Sequence, residues 1–305
     1  MVLKGVHFLV TYKCLMECDH CFVWGSPFAE GTFKLSQIRE ILKEAEKLGT
    51  VEWVFFEGGE PFLYYPILIE GLREAAQKGF KTGIVTNTYW ATSVEDALQW
   101  LLPIALIGID DLSLSTDCYH SDRIDTEETK NAVKAAKQLS LPAGIISIEK
   151  TEKAEAEKQQ ITEVEGVKVG YSQIMFRGRA VSKLLEKAPS KPWTEFTKCT
   201  HEDLKNPGRV HLDPLGYVHI CQGLCIGNAW KKPFSKIINS YDPLSYPVIR
   251  ILLEKGPAGL VEEFHLPHEE SYADACHICY NARIQLRSKF PELLAPDQMY
   301  GKGTE

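Results

Sequence analysis

Between residues 6 and 180, short apolar runs alternate with helical stripes, and this rhythm constrains the fold more than any other feature of the chain. The runs at 6–10, 51–56, 84–86, 112–115, 144–148 and 173–176 have strand length. Apolar residues at 35, 38, 41, 42, 45 and 48 form one helical stripe, with Ser36 as its N-cap and Gly49 as its stop. Pro66 opens and Gly79 closes a second helix, the positions those residues favour. Ser93 and Asp96 have capping-box spacing for a third that stops at Pro103, and residues 127–139 give a fourth. The charge-rich stretch 149–165 reads as an exposed helix, with a loop as the alternative. Strands alternating with helices pair in parallel through right-handed crossovers. The fold class is α/β: a partial (β/α)6 parallel barrel, or an open sheet, whose active site lies at the C-terminal ends of the strands.

The pattern changes after Pro189's neighbourhood of the chain: eight prolines between 192 and 267 arrive at short intervals. Residues 210–212 and 217–221, with Pro214-Leu215-Gly216 between them, read as a hairpin. A boundary near 190 divides a barrel, residues 1–190, from a small cysteine-rich α+β extension, residues 191–305. The balance of 34 basic and 41 acidic residues gives a formal charge of -7. No long basic run is present, which disfavours nucleic acid and anionic membranes as partners. No apolar stretch is long enough to cross a bilayer, and no signal peptide is visible. The expected location is the cytoplasm.

Nine cysteines remain to be explained: 14, 18, 21, 118, 199, 221, 225, 276 and 279. An odd count in a large chain without an export signal argues against a disulfide framework. Cys14-x3-Cys18-x2-Cys21 sits on the loop after the first strand, so three thiolates can converge on one metal centre. Structural zinc would need a fourth ligand from His20, His7 or a distant residue. An iron–sulfur cluster held by three cysteines would instead leave one iron open, the arrangement of a reactive site.

The x3–x2 spacing, with His20 just before the last cysteine, resembles the radical S-adenosylmethionine (SAM) superfamily. Gly58-Gly59-Glu60-Pro61 follows the second strand, where that family carries a GGE motif. Ser115 ends the fourth strand, where the family contacts the SAM ribose. Gly178-Arg179-Ala180 follows the sixth, where related enzymes carry a similar element near SAM. The resemblance covers about residues 5–185. It implies that Cys14, Cys18 and Cys21 hold a [4Fe–4S] cluster whose open iron binds SAM. It also implies that His20, Gly58, Gly59, Glu60, Asn87, Ser115 and Arg179 line the SAM site. Reductive cleavage would then yield a 5′-deoxyadenosyl radical that takes hydrogen from a substrate, with the electron supplied by a partner such as flavodoxin or ferredoxin. Gly59 is expected to carry no side chain because a Cβ would push the loop into the methionyl group.

Cys199, Cys221, Cys276 and Cys279 form a second set of four, for which spacing alone leaves structural zinc and a cluster equally open. Asp213-Pro214-Leu215-Gly216 before Cys221 and the closing CxxC resemble the SPASM or shorter twitch extension of radical SAM enzymes. That likeness implies one auxiliary [4Fe–4S] cluster, the twitch form. Cys225 and Cys118 are expected to be packed thiols rather than ligands. His201 and His277 are expected to be hydrogen-bonding groups beside the cysteines. Asp117 and His120, just past the fourth strand, are either substrate or proton-transfer groups or plain loop polar groups. Trp24 and Phe28 are expected to pack over the cluster loop.

Three functions compete. The first is a small-molecule dehydrogenase whose auxiliary cluster accepts an electron from the substrate radical. The second is a ribosomal-peptide maturase of the SPASM type, although with Cys14 so near the start no leader-binding domain is expected ahead of it. The third, from another class, is a zinc-stabilised binding module without catalysis, which leaves the Gly58–Pro61 motif and the strand rhythm unexplained.

Overall fold

The computed structural model describes residues 1–121, 123–150, 161–186 and 188–302. Its core is one sheet built from β1 (Gly5–Thr11), β2 (Trp53–Gly58), β3 (Lys81–Thr86), β4 (Asp111–Ser115) and β5 (Ala143–Ile148). It continues through β6 (Glu163–Val164), β7 (Val167–Ser172), β9 (Arg209–Leu212), β10 (Tyr217–Cys221) and β11 (Leu224–Asn228). The strand order is β11-β10-β9-β1-β2-β3-β4-β5-β7-β6. The run from β9 to β7 through β1 is parallel throughout. The crossovers after β1 to β4 contain α1 (Leu35–Leu48), α2 (Tyr65–Gln77), α3 (Val94–Ile107) and α4 (Glu127–Gln138). This is the expected α/β architecture, consistent with a partial barrel.

Side-chain alternation along each strand divides the sheet into two faces. Phe8, Val54, Phe56, Ile84, Leu112 and Leu114 are fully buried, and Phe56 packs beside Gly71 and Ile38 of the helices. His7, Phe55, Glu57, Ser113 and Ser115 occupy the opposite face. There Gly83 makes room for a ring: a Cβ at 83 would stand 2.2 Å from Cε1 of Phe55.

Four local expectations are corrected. The sixth parallel strand is β7, not residues 173–176. The alternation Val167, Val169, Tyr171 pairs with β5, while 173–176 lies outside any strand and Phe176 N donates to Asp274 Oδ2 (3.1 Å). Its apolar side chains therefore serve packing rather than pairing. The N-cap of α1 is Lys34, two residues ahead of Ser36, and Gln37 Oε1 accepts from Lys34 N (2.8 Å). Helix α3 runs through Pro103 to Gly108, because Leu101 and Ile104 are fully buried and tertiary packing outweighs the lost backbone bond. Within 149–165, residues 149–150 are not helical and 163–164 form β6. The part at 151–160 lies outside the described residues.

The expected hairpin is present as β9–β10, and β11 extends it. It joins the main sheet because β9 pairs in parallel with β1, from Gly5↔Arg209 to Phe8↔Leu212. The remaining elements are α5 (Ala180–Lys183), β8 (Lys191–Pro192), α6 (Phe234–Asn239), α7 (Pro247–Phe264), β12 (Ser271–Tyr272) and α8 (Ala275–Leu286). β8 and β12 form a separate two-stranded sheet. Helix α7 breaks at Gly256 (φ 67°), where a Cβ would stand 2.1 Å from the carbonyl carbon of Thr197. The kink thus receives the segment that leads to Cys199.

Phe56 stacks on Phe8 at 5.3 Å inside the helix-facing core. Phe56→Ala is expected to lower the free energy of unfolding by about 3–5 kcal/mol, measured by urea titration. A loss below about 1 kcal/mol would mean that this layer does not organise the fold.

Candidate functional site at the strand ends

The loop after β1 is closed by its own backbone. Tyr12 N donates to Gly31 O, Cys14 N to Ser26 O (3.0 Å), Cys21 N to Cys18 O (3.0 Å) and Phe33 N to Val10 O. Inside this frame Cys14 and Cys18 are buried and Cys21 is half-buried. Three N–H groups point at sulfur: Met16 N to Cys14 Sγ (3.4 Å), Gly25 N to Cys21 Sγ (3.2 Å) and Asn87 Nδ2 to Cys14 Sγ (3.5 Å). Burial pushes the Cys14 thiol up to about 12 and the Cys18 thiol higher still, and the neighbouring cysteines add to the rise. Thiolates here therefore need a cation to compensate them.

A single tetrahedral zinc would hold its sulfurs roughly 3.8 Å apart, given Zn–S bonds near 2.3 Å. Among the described residues, the His, Cys, Asp and Glu groups whose ligand atoms come within 4.8 Å of one another include none of Cys14, Cys18 and Cys21. The sulfur-directed N–H groups would stabilise thiolates at this loop.

The Gly58–Pro61 turn docks on the root of this loop. Gly59 N donates to Thr11 O (2.7 Å) and Glu60 N to Lys13 O (2.9 Å). A Cβ on Gly59 would stand 2.2 Å from Lys13 O, and one on Gly58 (φ 134°) 2.6 Å from Thr11 O. The glycines are thus required by the chain's own backbone, a constraint the motif alone did not show. Glu60 is fully buried, and burial pushes its carboxyl up to about 7. Its oxygens accept from Phe62 N (3.0 Å), Thr86 Oγ1 (2.8 Å) and Asn87 N (2.8 Å), so it ties the turn to the end of β3. Asn87 in turn reaches Cys14.

Arg179 grips the loop from the other side. Its guanidinium donates to Cys18 O (2.9 Å) and Gly25 O (2.8 Å), and its amide to Cys21 O (2.9 Å). Gly178 (φ 61°) allows this approach, since a Cβ would stand 2.5 Å from Cys21 O. Gly178 and Arg179 lie six and seven residues beyond β7, at the start of α5, rather than at a strand end. Ser115 ends β4 as expected, on the face turned away from α1–α4.

Asp117 sits between two histidines: Oδ2 is 3.4 Å from His20 Nε2 and Oδ1 is 2.9 Å from His120 Nδ1. Burial pushes the Asp117 carboxyl up, but His120 and His20 outweigh it and the net shift is downward. Burial lowers His20 to about 4 despite Asp117. His20, Asp117 and His120 therefore form one group beside the cysteine loop, a proximity that sequence spacing did not reveal. Trp24 joins the loop's packing through its indole N–H to Tyr280 Oη (3.0 Å), but Phe28 is 82% exposed and packs on nothing of consequence.

The second cysteine set lies close by. Asp274 caps α8, accepting from His277 N (2.7 Å), and places Cys276 and Cys279 three residues apart on one helical face. Burial pushes Cys279 up to about 12, and the charges of Cys221 and Cys199 raise it further. Burial also raises Cys276, with Cys221 and Cys279 contributing. Arg177 donates to Cys221 Sγ (3.4 Å). Cys225 is elsewhere: its thiol donates to Ala295 O (3.1 Å) and lies 3.4 Å from His219 Nδ1. His277 Nδ1 accepts from Ala273 N (3.2 Å).

Three contacts that sequence reasoning missed join the two sets. Arg177 lies over the Phe22 ring while touching Cys221. Tyr12 Oη donates to Asp213 Oδ2 (2.8 Å), and the same oxygen meets His219 Nε2 (3.1 Å). Gln298 donates to the carbonyls of Val23 (3.0 Å) and Trp24 (2.9 Å). The Arg177-Gly178-Arg179 run and the Asp213 turn were visible in the sequence, but not what they touch.

A parallel α/β sheet with a cysteine loop at the C-terminal ends of its strands places that loop where such folds carry their active sites. Residues 8–155 match the model of the Radical SAM superfamily. That segment, just under half of the chain, carries the likeness to the superfamily, which implies a [4Fe–4S] cluster and SAM. It is similar to YydG of Bacillus subtilis (strain 168), a putative peptide biosynthesis protein, at 25% identity over 135 residues, 44% of this chain and 42% of that protein. It is also similar to the tungsten-containing aldehyde ferredoxin oxidoreductase cofactor-modifying protein of Pyrococcus furiosus. There the identity is 30% over 116 residues, 38% of this chain and 31% of that protein. The matches thus span less than half the length of either curated relative. Among solved structures, BtrN in complex with AdoMet and 2-DOIA has a TM-score of 0.52 and 16% identity, over 84% of this chain and 89% of that one. That likeness is one of fold.

Gly59→Ala is expected to lower both the unfolding midpoint and the iron retained after reconstitution. Gly208→Ala, whose Cβ would meet nothing within 4 Å, leaves both unchanged. Equal behaviour of the two variants would contradict the docking of the turn on Lys13.

Proposed function

We propose that the chain is a radical SAM enzyme with two clusters. Cys14, Cys18 and Cys21 hold the SAM-binding [4Fe–4S] cluster, and Cys199, Cys221, Cys276 and Cys279 hold an auxiliary [4Fe–4S] cluster in the extension at 191–305. When bound, the first cluster and SAM supply the reducing electron and the 5′-deoxyadenosyl group that takes hydrogen from the substrate. The chain's own residues fix the geometry. Arg179 holds the loop, Glu60 and Asn87 connect it to the ends of β2 and β3, and burial excludes water. His20, Gly58, Gly59 and Ser115 complete the SAM site, and Asp117 and His120 face the substrate, where they move or accept a proton.

The observation that carries this reading is that Cys14, Cys18 and Cys21 share one closed loop, two of them buried and one half-buried, with N–H groups directed at the sulfurs of Cys14 and Cys21. Four thiolates on the second cluster leave no iron for a substrate, so electron transfer suits it better than substrate ligation. The favoured reaction is oxidation of a small molecule, with the auxiliary cluster taking the second electron and a flavodoxin- or ferredoxin-like protein serving as reductant. The similarity to YydG favours a second reading, modification of a peptide. Among the described residues no helix is long and apolar enough to cross a membrane, and a cytoplasmic, anaerobic setting suits this chemistry.

Anaerobically reconstituted protein is expected to carry about eight irons, four per cluster, and to form 5′-deoxyadenosine from SAM and dithionite. The Cys14/Cys18/Cys21→Ala triple variant keeps roughly half the iron and forms none of the product. Cys221→Ala abolishes the remaining cluster and Cys225→Ala does not. Zinc in place of iron, or loss of the second cluster on removing Cys225, would overturn the assignment. Transfer of deuterium into 5′-deoxyadenosine from a labelled peptide, but not from small candidates, would select the second reading.

A further inference from the structure

On the face of the sheet turned away from α1–α4, His7 of β1, Glu57 of β2 and His211 of β9 converge. His211 Nε2 lies 3.0 Å and His7 Nδ1 3.3 Å from the same oxygen, Glu57 Oε1. All three ligand atoms are within 4.8 Å of one another. We propose that these residues form a site for a divalent transition-metal ion, separate from both cysteine sets.

Spacing supports this first. Two donors each about 2.1 Å from an ion, at angles of roughly 90–110°, lie roughly 3.0–3.4 Å apart. The two measured separations fall inside that range. Donor type comes second: two imidazoles and one carboxylate suit iron, zinc, nickel or manganese and leave coordination positions open for water or a substrate oxygen. Rigidity comes third. The three residues stand on adjacent, paired strands, with His7 opposite both Phe55 and His211, and Leu9 opposite Glu57. The His7 ring stacks on Phe55 at 4.7 Å, which fixes its orientation.

Two other groups are less suited. In His20–Asp117–His120, Asp117 Oδ1 already accepts from Tyr119 N (2.8 Å) and His120 N (3.1 Å). In His201–Asp274–Cys276, both Asp274 oxygens accept backbone amides. Glu57 Oε1 faces the two histidines. Because Glu57 immediately precedes Gly58, the ion would lie just beneath the SAM-site turn, with its open positions toward the interior face.

Tag-free, reconstituted holoprotein is titrated with Mn²⁺, and free aqueous Mn²⁺ is followed by its EPR spectrum. The expected result is one bound Mn²⁺ per chain, whose pulsed EPR spectrum shows couplings to two imidazole nitrogens. Glu57→Gln weakens binding at least tenfold, and His7→Gln leaves a single nitrogen coupling, with cluster iron unchanged in both. If either variant fails to fold, the wild-type nitrogen couplings decide. No bound Mn²⁺, bound Mn²⁺ with oxygen ligands alone, or nitrogen couplings that persist in both folded variants would overturn the site and leave a buried carboxylate hydrogen-bonded by two histidines. Because the readout uses no SAM chemistry, its failure would leave the proposed radical function standing.

Discussion

The carbonyls of Thr11 and Lys13 accept the amides of Gly59 and Glu60, and the rest of the site depends on that backbone contact. It brings the turn after β2 against the root of the cysteine loop, closer than any side chain would allow. Glu60 then turns inward and ties β2 to β3 through Thr86 and Asn87. Asn87 reaches Cys14, so three consecutive strand ends are mechanically joined to one thiol. Arg179 completes the enclosure from the chain's far side by holding the carbonyls of Cys18 and Gly25.

This enclosure has an electrostatic consequence. Buried thiols resist ionisation, and Cys14, Cys18, Cys276 and Cys279 are all raised by desolvation. A metal centre reverses that balance, because coordination takes the protons and the cation offsets the buried charge. In both cysteine groups thiolates would thus need a nearby cation to be favourable. The two places are physically linked: Arg177 touches Cys221 while covering Phe22, and Tyr12, two residues before Cys14, bonds to the Asp213 turn of the hairpin.

Much of this was legible in the sequence. Strand-length runs and helical stripes reported the parallel α/β order because period 2 and period 3.6 are set by backbone geometry. The cysteine spacing and the Gly58–Pro61 motif marked the strand ends that matter. What escaped were features decided by tertiary contact. Residues 173–176 look like a strand but lie outside the sheet, and the true strand is Val167–Ser172, a half-exposed segment whose alternation of Val167, Val169 and Tyr171 the sequence reading passed over. Pro103 looks like a stop, yet burial of Leu101 and Ile104 carries the helix past it. That Gly59 must also leave room for the backbone of Lys13 has no signal in the motif. The pairing of β9 with β1, which sets His211 beside His7 and Glu57, has no local sequence signal.

The central claim is that the N-terminal cysteine triplet presents an open iron to SAM. It is tested most directly by the low-temperature EPR spectrum of the dithionite-reduced, reconstituted protein with and without SAM. SAM should shift one cluster's g-values, and that SAM-sensitive signal should be missing from the Cys14/Cys18/Cys21→Ala variant while a second signal remains. A spectrum indifferent to SAM, or a SAM-sensitive signal that survives in the triple variant, would contradict the account.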